Sequence, residues 1–331
     1  MLIDAHLHYW ARRWLSPQKR WGIAWRWSKD EGRDLREAPI WQGVDDEPDP
    51  DDKPWFGGLA SLGIDIGIDH VEDSGSYEGW EEPSASIEDI NRRHCLAAQK
   101  YAGKLYTFIG VSPKRHNAVK IFERGVKEWG AKGLKLYPPA GFYPNEPICY
   151  RLYEKCLELG VPVTIHMGYG CFGHMKYANP VHLDEPAKDF PELEFIMAHA
   201  GGGIGFLWEE AVAVAAGNPN INFDLAEVAP TVVKGGRLGN RGKYKDHIPV
   251  FLDILDIMRN RLHGGCTRIL FGTDYPFYAF EMYKGWTDLF KNLSSVAAKY
   301  GYDFSQEEAD LMCYKNAVRI MKLPVEGMQG K

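Results

Sequence analysis

The chain has 331 residues, of which 45% are hydrophobic and 25% charged. This composition is typical of a folded globular protein rather than a disordered one. The formal net charge of −6 argues against nucleic acid as a partner, because a phosphate-binding surface needs an excess of basic residues.

Short apolar runs that favour β-strands alternate along the chain with stretches of helical periodicity. The strand-like runs cover residues 2–5, 64–71, 105–111, 133–137, 161–166, 193–199, 221–225 and 268–272. Helical stretches include residues 87–101, 118–129, 148–159 and 249–261, where apolar residues recur at steps of three and four. Strands separated by helices pair in parallel through right-handed crossovers. The pattern predicts an α/β fold, a (β/α)8 TIM barrel, with residues 1–331 forming a single domain.

An open doubly wound sheet is the alternative, and it normally carries a glycine-rich phosphate loop after its first strand. That turn here contains His6, His8 and aromatic residues instead, which favours the barrel. Three glycines at residues 201–203 follow His199. Their backbone N–H groups could bind an anion, but glycine runs more often permit tight packing.

Residues 9–57 interrupt the alternation as a Trp-rich insertion after the first strand. Tryptophan at this density requires burial or a ligand, since each ring carries a large apolar area. We interpret the insertion as a lid over the barrel mouth, with Trp10 contacting substrate. An oligomer interface is the competing interpretation, and we expect a homo-oligomer. Basic residues in this insertion could meet an anionic substrate; these are Arg12, Arg13, Lys19 and Arg20.

Five polar residues stand at or just beyond the ends of apolar runs: His6, His8, His166, His199 and Asp274. Active sites of TIM barrels lie at the carboxyl ends of the strands, so these residues are expected to meet. Side chains two apart on a strand share a face, and imidazole and carboxylate groups are ligands for zinc. The pattern indicates a metal site.

Several motifs together resemble the amidohydrolase superfamily, and more narrowly its amidohydrolase-2 branch. That branch includes aminocarboxymuconate-semialdehyde decarboxylase, aromatic acid decarboxylases and several hydrolases. The resemblance covers most of the chain except the insertion. It is carried by the H-x-H of residues 1–8, Gly-Leu-Lys-Leu-Tyr-Pro at 133–138, the strand ending at His166, Ala-His-Ala-Gly-Gly at 198–202, Phe-Gly-Thr-Asp-Tyr-Pro at 271–276 and Tyr-Lys-Asn-Ala-Val-Arg at 314–319.

The resemblance implies a role for each of the five polar residues. His6, His8, His166 and Asp274 would hold one divalent ion, with zinc favoured and manganese as the alternative. His199 would be the general acid/base, and Asp274 could also accept a proton from water. Substrate contacts are expected from Lys135, Tyr137 and Trp10.

Lys135 is expected inside the barrel, because its neighbours Leu134 and Leu136 would face the helices. An unpaired ammonium there is costly. A free lysine paired with a substrate carboxylate or an internal acid is favoured; a carbamylated lysine, as in other branches of the superfamily, and a structural salt bridge remain open. Glu72 and Glu227 are candidate internal partners.

Two reactions fit the implied site. The main prediction is a metal-dependent hydrolase acting on a small carboxylated or aromatic-derived substrate, and the alternative is a non-oxidative decarboxylase of an aromatic or muconate-type acid. Retention of both histidines in H-x-H disfavours the benzoate decarboxylases, many of which carry Glu at the first position, but not the semialdehyde decarboxylase, which keeps both histidines. A metal-free lactonase or a binding protein is disfavoured, because all five polar groups are retained.

The six cysteines are scattered without a C-x-x-C pair, so free thiols are expected rather than a zinc knuckle or redox dithiol. No run approaches the roughly 18 apolar residues of a membrane span. The first residues do not follow the pattern of a secretory leader. These features predict a cytoplasmic protein that binds neither membrane nor nucleic acid.

Overall fold

The computed structural model describes residues 1–9, 11–32, 34–37, 53–77, 79–168, 172–202, 207–228, 247–277 and 280–325. Eight strands pair in parallel, each with the next in chain order. The α/β TIM-barrel prediction is confirmed. The strands are β1 (Ile3–Leu7), β2 (Ile66–His70), β3 (Leu105–Gly110), β4 (Gly133–Leu136), β5 (Val163–His166), β6 (Phe195–Ala198), β7 (Ile221–Asp224) and β8 (Ile269–Leu270).

Contacts between β1 and the segment around β8 close the cylinder. The backbone N–H of Ala5 donates to the carbonyl of Phe271, and that of Asp274 donates to the carbonyl of His6, each at 2.9 Å. Leu7 and Tyr275 form a further parallel bridge. These bonds bring the first and last strands of the chain side by side. The H-x-H motif at the end of β1 and the motif that contains Asp274 therefore lie next to each other on one rim of the barrel.

Helices follow the strands, and all four predicted ones form with ends within two residues of those expected. Ser86 is the N-cap of the helix that starts at Ile87, and its side chain accepts a hydrogen bond from the N–H of Asp89, as N-cap serines do. The helices are α1 (Pro17–Glu31), α2 (Lys53–Leu62), α3 (Ile87–Lys100), α4 (Ala118–Lys127), α5 (Pro147–Leu159), α6 (Asp184–Asp189), α7 (Trp208–Gly217), α8 (Ile248–Arg261), α9 (Phe280–Lys291), α10 (Leu293–Lys299), α11 (Gln306–Asp310) and α12 (Asn316–Met321).

Two apolar clusters account for the barrel's packing. The larger one lies between the strands and the helices. The smaller one joins interior residues such as Ile3, Ala5 and Phe108 to α12. Asn316, at the start of α12, donates to the carbonyls of Cys266 and Ile269. The helix α12 therefore covers the amino-terminal end of the barrel, opposite the predicted site.

The described part of the insertion contributes both buried and exposed tryptophans. Trp14 and Trp55 are buried, whereas Trp21 and Trp25 on α1 are 55% and 44% exposed. A Cβ at Gly22 would lie 2.2 Å from the ring of Phe172, so α1 packs closely on the loop after β5. Trp10 and much of the insertion lie outside the described residues, and the lid and the homo-oligomer stay predictions.

The glycine turn after β6 supports the packing interpretation. Gly201 has a φ of +82°, and a Cβ there would lie 2.5 Å from that of Ala211 on α7. Glycine thus allows the turn to pack against this helix. Among the described cysteines, five are free and buried: Cys95, Cys149, Cys156, Cys266 and Cys313. Cys171 lies outside the described residues.

We find no membrane-spanning candidate among the helices of the described ranges, since none is both long and apolar enough.

The guanidinium of Arg268 provides a test of stability at the amino-terminal end. It is 4% exposed and donates to the carbonyls of Ala215, Asn218 and Ile221. Arg268→Met should lower the free energy of unfolding by about 3 kcal/mol, because buried carbonyls lose their donors. Urea unfolding measures this. The exposed Arg261→Met is the control and should change stability by less than about 0.5 kcal/mol; equal effects of both variants would refute the assignment.

Candidate active site

A cavity opens at the carboxyl ends of the strands, where about 350 Å³ of empty space includes open solvent. Most of the residues predicted from the sequence line it: His8, Lys135, Tyr137, His166, His199 and Asp274. His6 is fully buried beside them. Further lining comes from residues that the sequence did not assign to the metal or to catalysis: Lys19, Glu72, Phe172, Glu227 and Phe277.

An irregularity in β1 brings both histidines of H-x-H to the cavity. The register between β1 and β2 shifts between Asp4 and Leu7. Ala5 packs in the interior cluster and Leu7 in the outer one. Such a change of phase is what a β-bulge produces. Strand β1 also extends to Leu7, so His6 lies within the strand rather than beyond its end as the sequence predicted.

Each histidine of H-x-H is oriented by a hydrogen bond from its second ring nitrogen. His6 Nδ1 donates to Asp224 Oδ2 at 2.8 Å, and His8 Nδ1 donates to the carbonyl of His70 at 2.7 Å. These acceptors carry no proton, so both Nδ1 atoms bear hydrogen and both Nε2 atoms present lone pairs. Burial, followed by the Lys135 charge, holds the pKa of His6 well below its usual value.

The Asp274 carboxylate faces these lone pairs. Its Oδ1 lies 3.8 Å from His6 Nε2 and 3.3 Å from His8 Nε2. Donor atoms of His6, His199 and Asp274 all lie within 4.8 Å of one another. Imidazole nitrogens and carboxylate oxygens are the donors that zinc and manganese accept in proteins. The donor set therefore fits a divalent ion.

His166 and His199 form a hydrogen-bonded pair beside this group. His166 Nδ1 lies 3.0 Å from His199 Nε2. The outer nitrogens, His166 Nε2 and His199 Nδ1, are buried and have no hydrogen-bond partner within the described part of the chain. If His166 Nδ1 carries the shared proton, its Nε2 presents a lone pair, as a metal ligand requires.

Asp224 is the most important site residue that the sequence reasoning missed. Its Oδ1 accepts the N–H of His199 at 2.9 Å and that of Ala226 at 3.2 Å, while Oδ2 holds His6. It ends β7, and an acid at the carboxyl end of a predicted barrel strand was the available signal. His70, which ends β2 and accepts from His8, was missed in the same way.

Three cavity residues have strained backbones. The φ angles of His199, Glu227 and Asp274 are +61°, +58° and +60°. This left-handed region costs a non-glycine residue roughly 1–2 kcal/mol. Strain of this kind persists where the surrounding structure enforces it and concentrates at functional sites. The strain therefore indicates that the side chains of these three residues, which follow β6, β7 and β8, are held in position at a cost in stability.

Lys135 lies inside the barrel, as predicted, but it forms no ion pair with Glu72 or Glu227, the two candidate partners. Its Nζ donates to His6 Nε2 at 3.0 Å, and among the described residues it forms no ion pair. Burial lowers its pKa to about 8. Glu72 pairs instead with Lys19, whose Nζ lies 2.6 Å and 2.7 Å from its two oxygens. Glu227 lines the same cavity.

Comparison with known proteins identifies the class. The family model described as Amidohydrolase matches residues 3–323, so the chain belongs to the amidohydrolase family. A 2-keto-4-carboxy-3-hexenedioate hydratase of Sphingobium sp. is 31% identical over 157 residues, which cover 42% of this chain and 46% of the hydratase. The match thus spans less than half of that relative.

Solved structures agree on the fold. A 5-carboxyvanillate decarboxylase of Novosphingobium aromaticivorans, complexed with manganese and 4-hydroxy-3-methoxy-5-nitrobenzoic acid, has a TM-score of 0.63 at 14% identity, covering 98% of this chain and 96% of its own. A probable 2-pyrone-4,6-dicarboxylic acid hydrolase of Acinetobacter baumannii, with citric acid bound, has a TM-score of 0.59 at 14% identity, covering 97% and 99%. At these identities the likeness concerns the fold alone.

The buried ammonium of Lys135 leads to a stability prediction. Lys135→Met should raise the free energy of unfolding of the metal-free protein by about 1 kcal/mol, because it removes a charge with no carboxylate partner among the described residues. Chemical denaturation of both proteins measures the difference. The exposed Lys284→Met serves as control. A fall of more than about 1 kcal/mol for Lys135→Met would mean that its contact with His6 holds the fold together.

Proposed function

We propose that this protein is a divalent-metal-dependent enzyme that adds water to a small carboxylated substrate, with hydrolysis as the main reaction. The observation that supports this most strongly is the convergence of His6 Nε2, His8 Nε2 and Asp274 Oδ1, with both imidazoles oriented by second hydrogen bonds. Metal-ligating histidines nearly always have such outer partners. The hydratase relative supports water addition as the class of reaction.

In this proposal His6, His8, His166 and Asp274 hold the ion, and zinc is the favoured metal. When bound, the ion would supply Lewis acidity, which polarises a substrate oxygen and makes water more acidic. His199 transfers the proton: its imidazole accepts a proton from the water that adds to the substrate carbon and passes a proton to the leaving group, whose bond to that carbon breaks. Lys135 binds a substrate carboxylate, which supplies the missing partner for its ammonium.

The aromatic wall of the cavity orients the substrate. The ring of Tyr137 lies 4.5 Å from that of His166, and its hydroxyl donates to the carbonyl of Phe172. Phe277 packs edge-on against His8. We assign Tyr137 to substrate contact as the sequence suggested. Trp10, assigned to the same role, lies outside the described residues and stays a prediction.

Decarboxylation is the second candidate, and the aromatic wall favours it specifically. A flat aromatic acid would fit between Tyr137, Phe172 and Phe277, which line the same cavity. In that reaction His199 would protonate the ring carbon while carbon dioxide leaves. The two reactions therefore use the same histidine in the same cavity, and they differ in the bond that breaks and in whether water is consumed.

One experiment separates the two reactions. Protein stripped with a chelator and reloaded with Zn²⁺ or Mn²⁺ is incubated with lactones, unsaturated dicarboxylates and hydroxybenzoates in water enriched in heavy oxygen. Water addition incorporates the heavy oxygen into the organic product, whereas decarboxylation releases carbon dioxide and leaves the organic product unlabelled. Activity that survives complete metal removal would contradict the proposal for either reaction.

Asp274→Asn should abolish turnover while sparing the fold. The amide is nearly isosteric but removes the charge that faces both histidines, and we expect the rate to fall by more than about 100-fold. Turnover of the best substrate from the panel is compared with that of Asp288→Asn, an exposed control on α9. A variant that keeps near-normal turnover and an intact circular dichroism spectrum would contradict the role of Asp274.

Asp224→Asn should weaken metal binding without removing any ligand. A neutral amide orients His6 less strongly and makes its Nε2 less basic, so the dissociation constant for Zn²⁺ should rise by about 10- to 100-fold. Competition with a chromogenic chelator measures it. Asp303→Asn, whose carboxylate is 88% exposed, is the matched control. Unchanged affinity in Asp224→Asn would show that His6 does not depend on this hydrogen bond.

A further inference from the structure

Lys19 lines the cavity although it belongs to no strand of the barrel. It lies in the first turn of α1, within the insertion, and its own N–H donates to the side chain of Ser16, the N-cap of that helix. The side chain is 1% exposed and reaches the cavity that His199 and Asp274 also line. The insertion therefore delivers a cation to the candidate active site.

The surroundings of the Lys19 ammonium hold it in place and leave it able to bind a ligand. Its Nζ lies 4.0 Å from the ring centroid of Phe172 and 5.4 Å from that of Tyr137. Glu72 accepts from it with both oxygens and also accepts from the Tyr77 hydroxyl. An ammonium has three N–H donors, so one remains beyond the two that Glu72 accepts.

Stability does not explain this buried pair. A buried salt bridge is often no more stabilising than apolar residues of similar volume, since desolvation offsets the attraction. The position of Lys19 and Glu72 on a cavity wall, rather than in the core, favours a role in binding a ligand.

Lys19 and Lys135 place two ammonium groups on one enclosed wall. Among the described residues Lys135 has no carboxylate partner, and Glu72 is the one acceptor of the Lys19 ammonium. Each can bind a separate anionic group, and a charge-assisted hydrogen bond to a carboxylate is about twice as strong as a neutral one. A substrate with a single carboxylate could pair with Lys135 but would not also bind the Lys19 ammonium, whose paired acceptor is Glu72.

We propose that Lys19 is a specificity-determining residue that binds a second carboxylate of the substrate, separate from the one that Lys135 binds. The inference rests on the proposed function, because it assumes that substrate occupies this cavity. In this proposal a residue of the insertion selects dicarboxylates, whereas residues at the ends of the barrel strands carry out the reaction.

Binding of matched probes tests this inference without requiring turnover. Calorimetric titration of Zn²⁺-loaded protein compares phthalate, isophthalate and terephthalate with benzoate. We expect at least one dicarboxylate to bind about tenfold more tightly than benzoate. Lys19→Met should abolish that preference and leave benzoate affinity unchanged, while Lys19→Arg should retain it. Lys127→Met, on the outer surface of α4, should behave as wild type.

Other outcomes overturn the inference. If the wild-type protein binds no dicarboxylate more tightly than benzoate, the inference that Lys19 binds a second carboxylate is wrong. A Lys19→Met variant that loses affinity for dicarboxylates and benzoate alike indicates a merely structural role. If this variant fails to fold, the double variant Lys19→Met/Glu72→Gln replaces the pair together, and it should also lose the preference. Failure of the metal-dependent reaction would show in the turnover assay and leave these binding results intact, so the two failures are distinguishable.

Discussion

The hydrogen bonds of one carboxylate, Asp224, organise the candidate active site. It holds His6 Nδ1 and the backbone N–H of His199, and so connects β1, β6 and β7 at the rim. His6 and Asp224 are 218 positions apart and can meet only because the cylinder closes. The orientation of the His6 imidazole therefore depends on the closure of the barrel.

The two ends of the barrel divide stability and chemistry between them. At the amino-terminal end, Arg268 and Asn316 satisfy buried carbonyls and α12 packs on the interior cluster. At the carboxyl-terminal end the chain retains a buried ammonium at Lys135 and a strained backbone at Asp274. Each of these features costs free energy of folding. TIM barrels in general separate function from stability in this way.

Much of the fold was predictable because its signals are local. Apolar runs predicted all eight strands, and helical periodicity located four of the helices, since both periods are properties of short segments. Polar residues at strand ends predicted the cavity that includes His166, His199 and Asp274. The phase change in β1 was not predictable, because a bulge alters the alternation on which strand prediction relies.

Partnerships between distant residues were the part that the sequence did not reveal. Asp224 follows no motif, and its carboxylate accepts hydrogen bonds from donors in or just beyond β1, β6 and β7. Glu72 is a candidate partner for Lys135 in the sequence. In the structure it pairs with Lys19, because α1 places that lysine beside it at the cavity. Lys19 itself was one of several basic residues in the insertion, and nothing local in the sequence indicated that its side chain is buried.

Anomalous X-ray diffraction from crystals of the Zn²⁺-loaded protein tests the central claim most directly. The account predicts a single strong peak at the zinc edge, within bonding distance of His6 Nε2, His8 Nε2 and Asp274 Oδ1, with Asp224 still bound to His6 Nδ1. A peak elsewhere in the molecule, or zinc bound without His6 and Asp274, would contradict it.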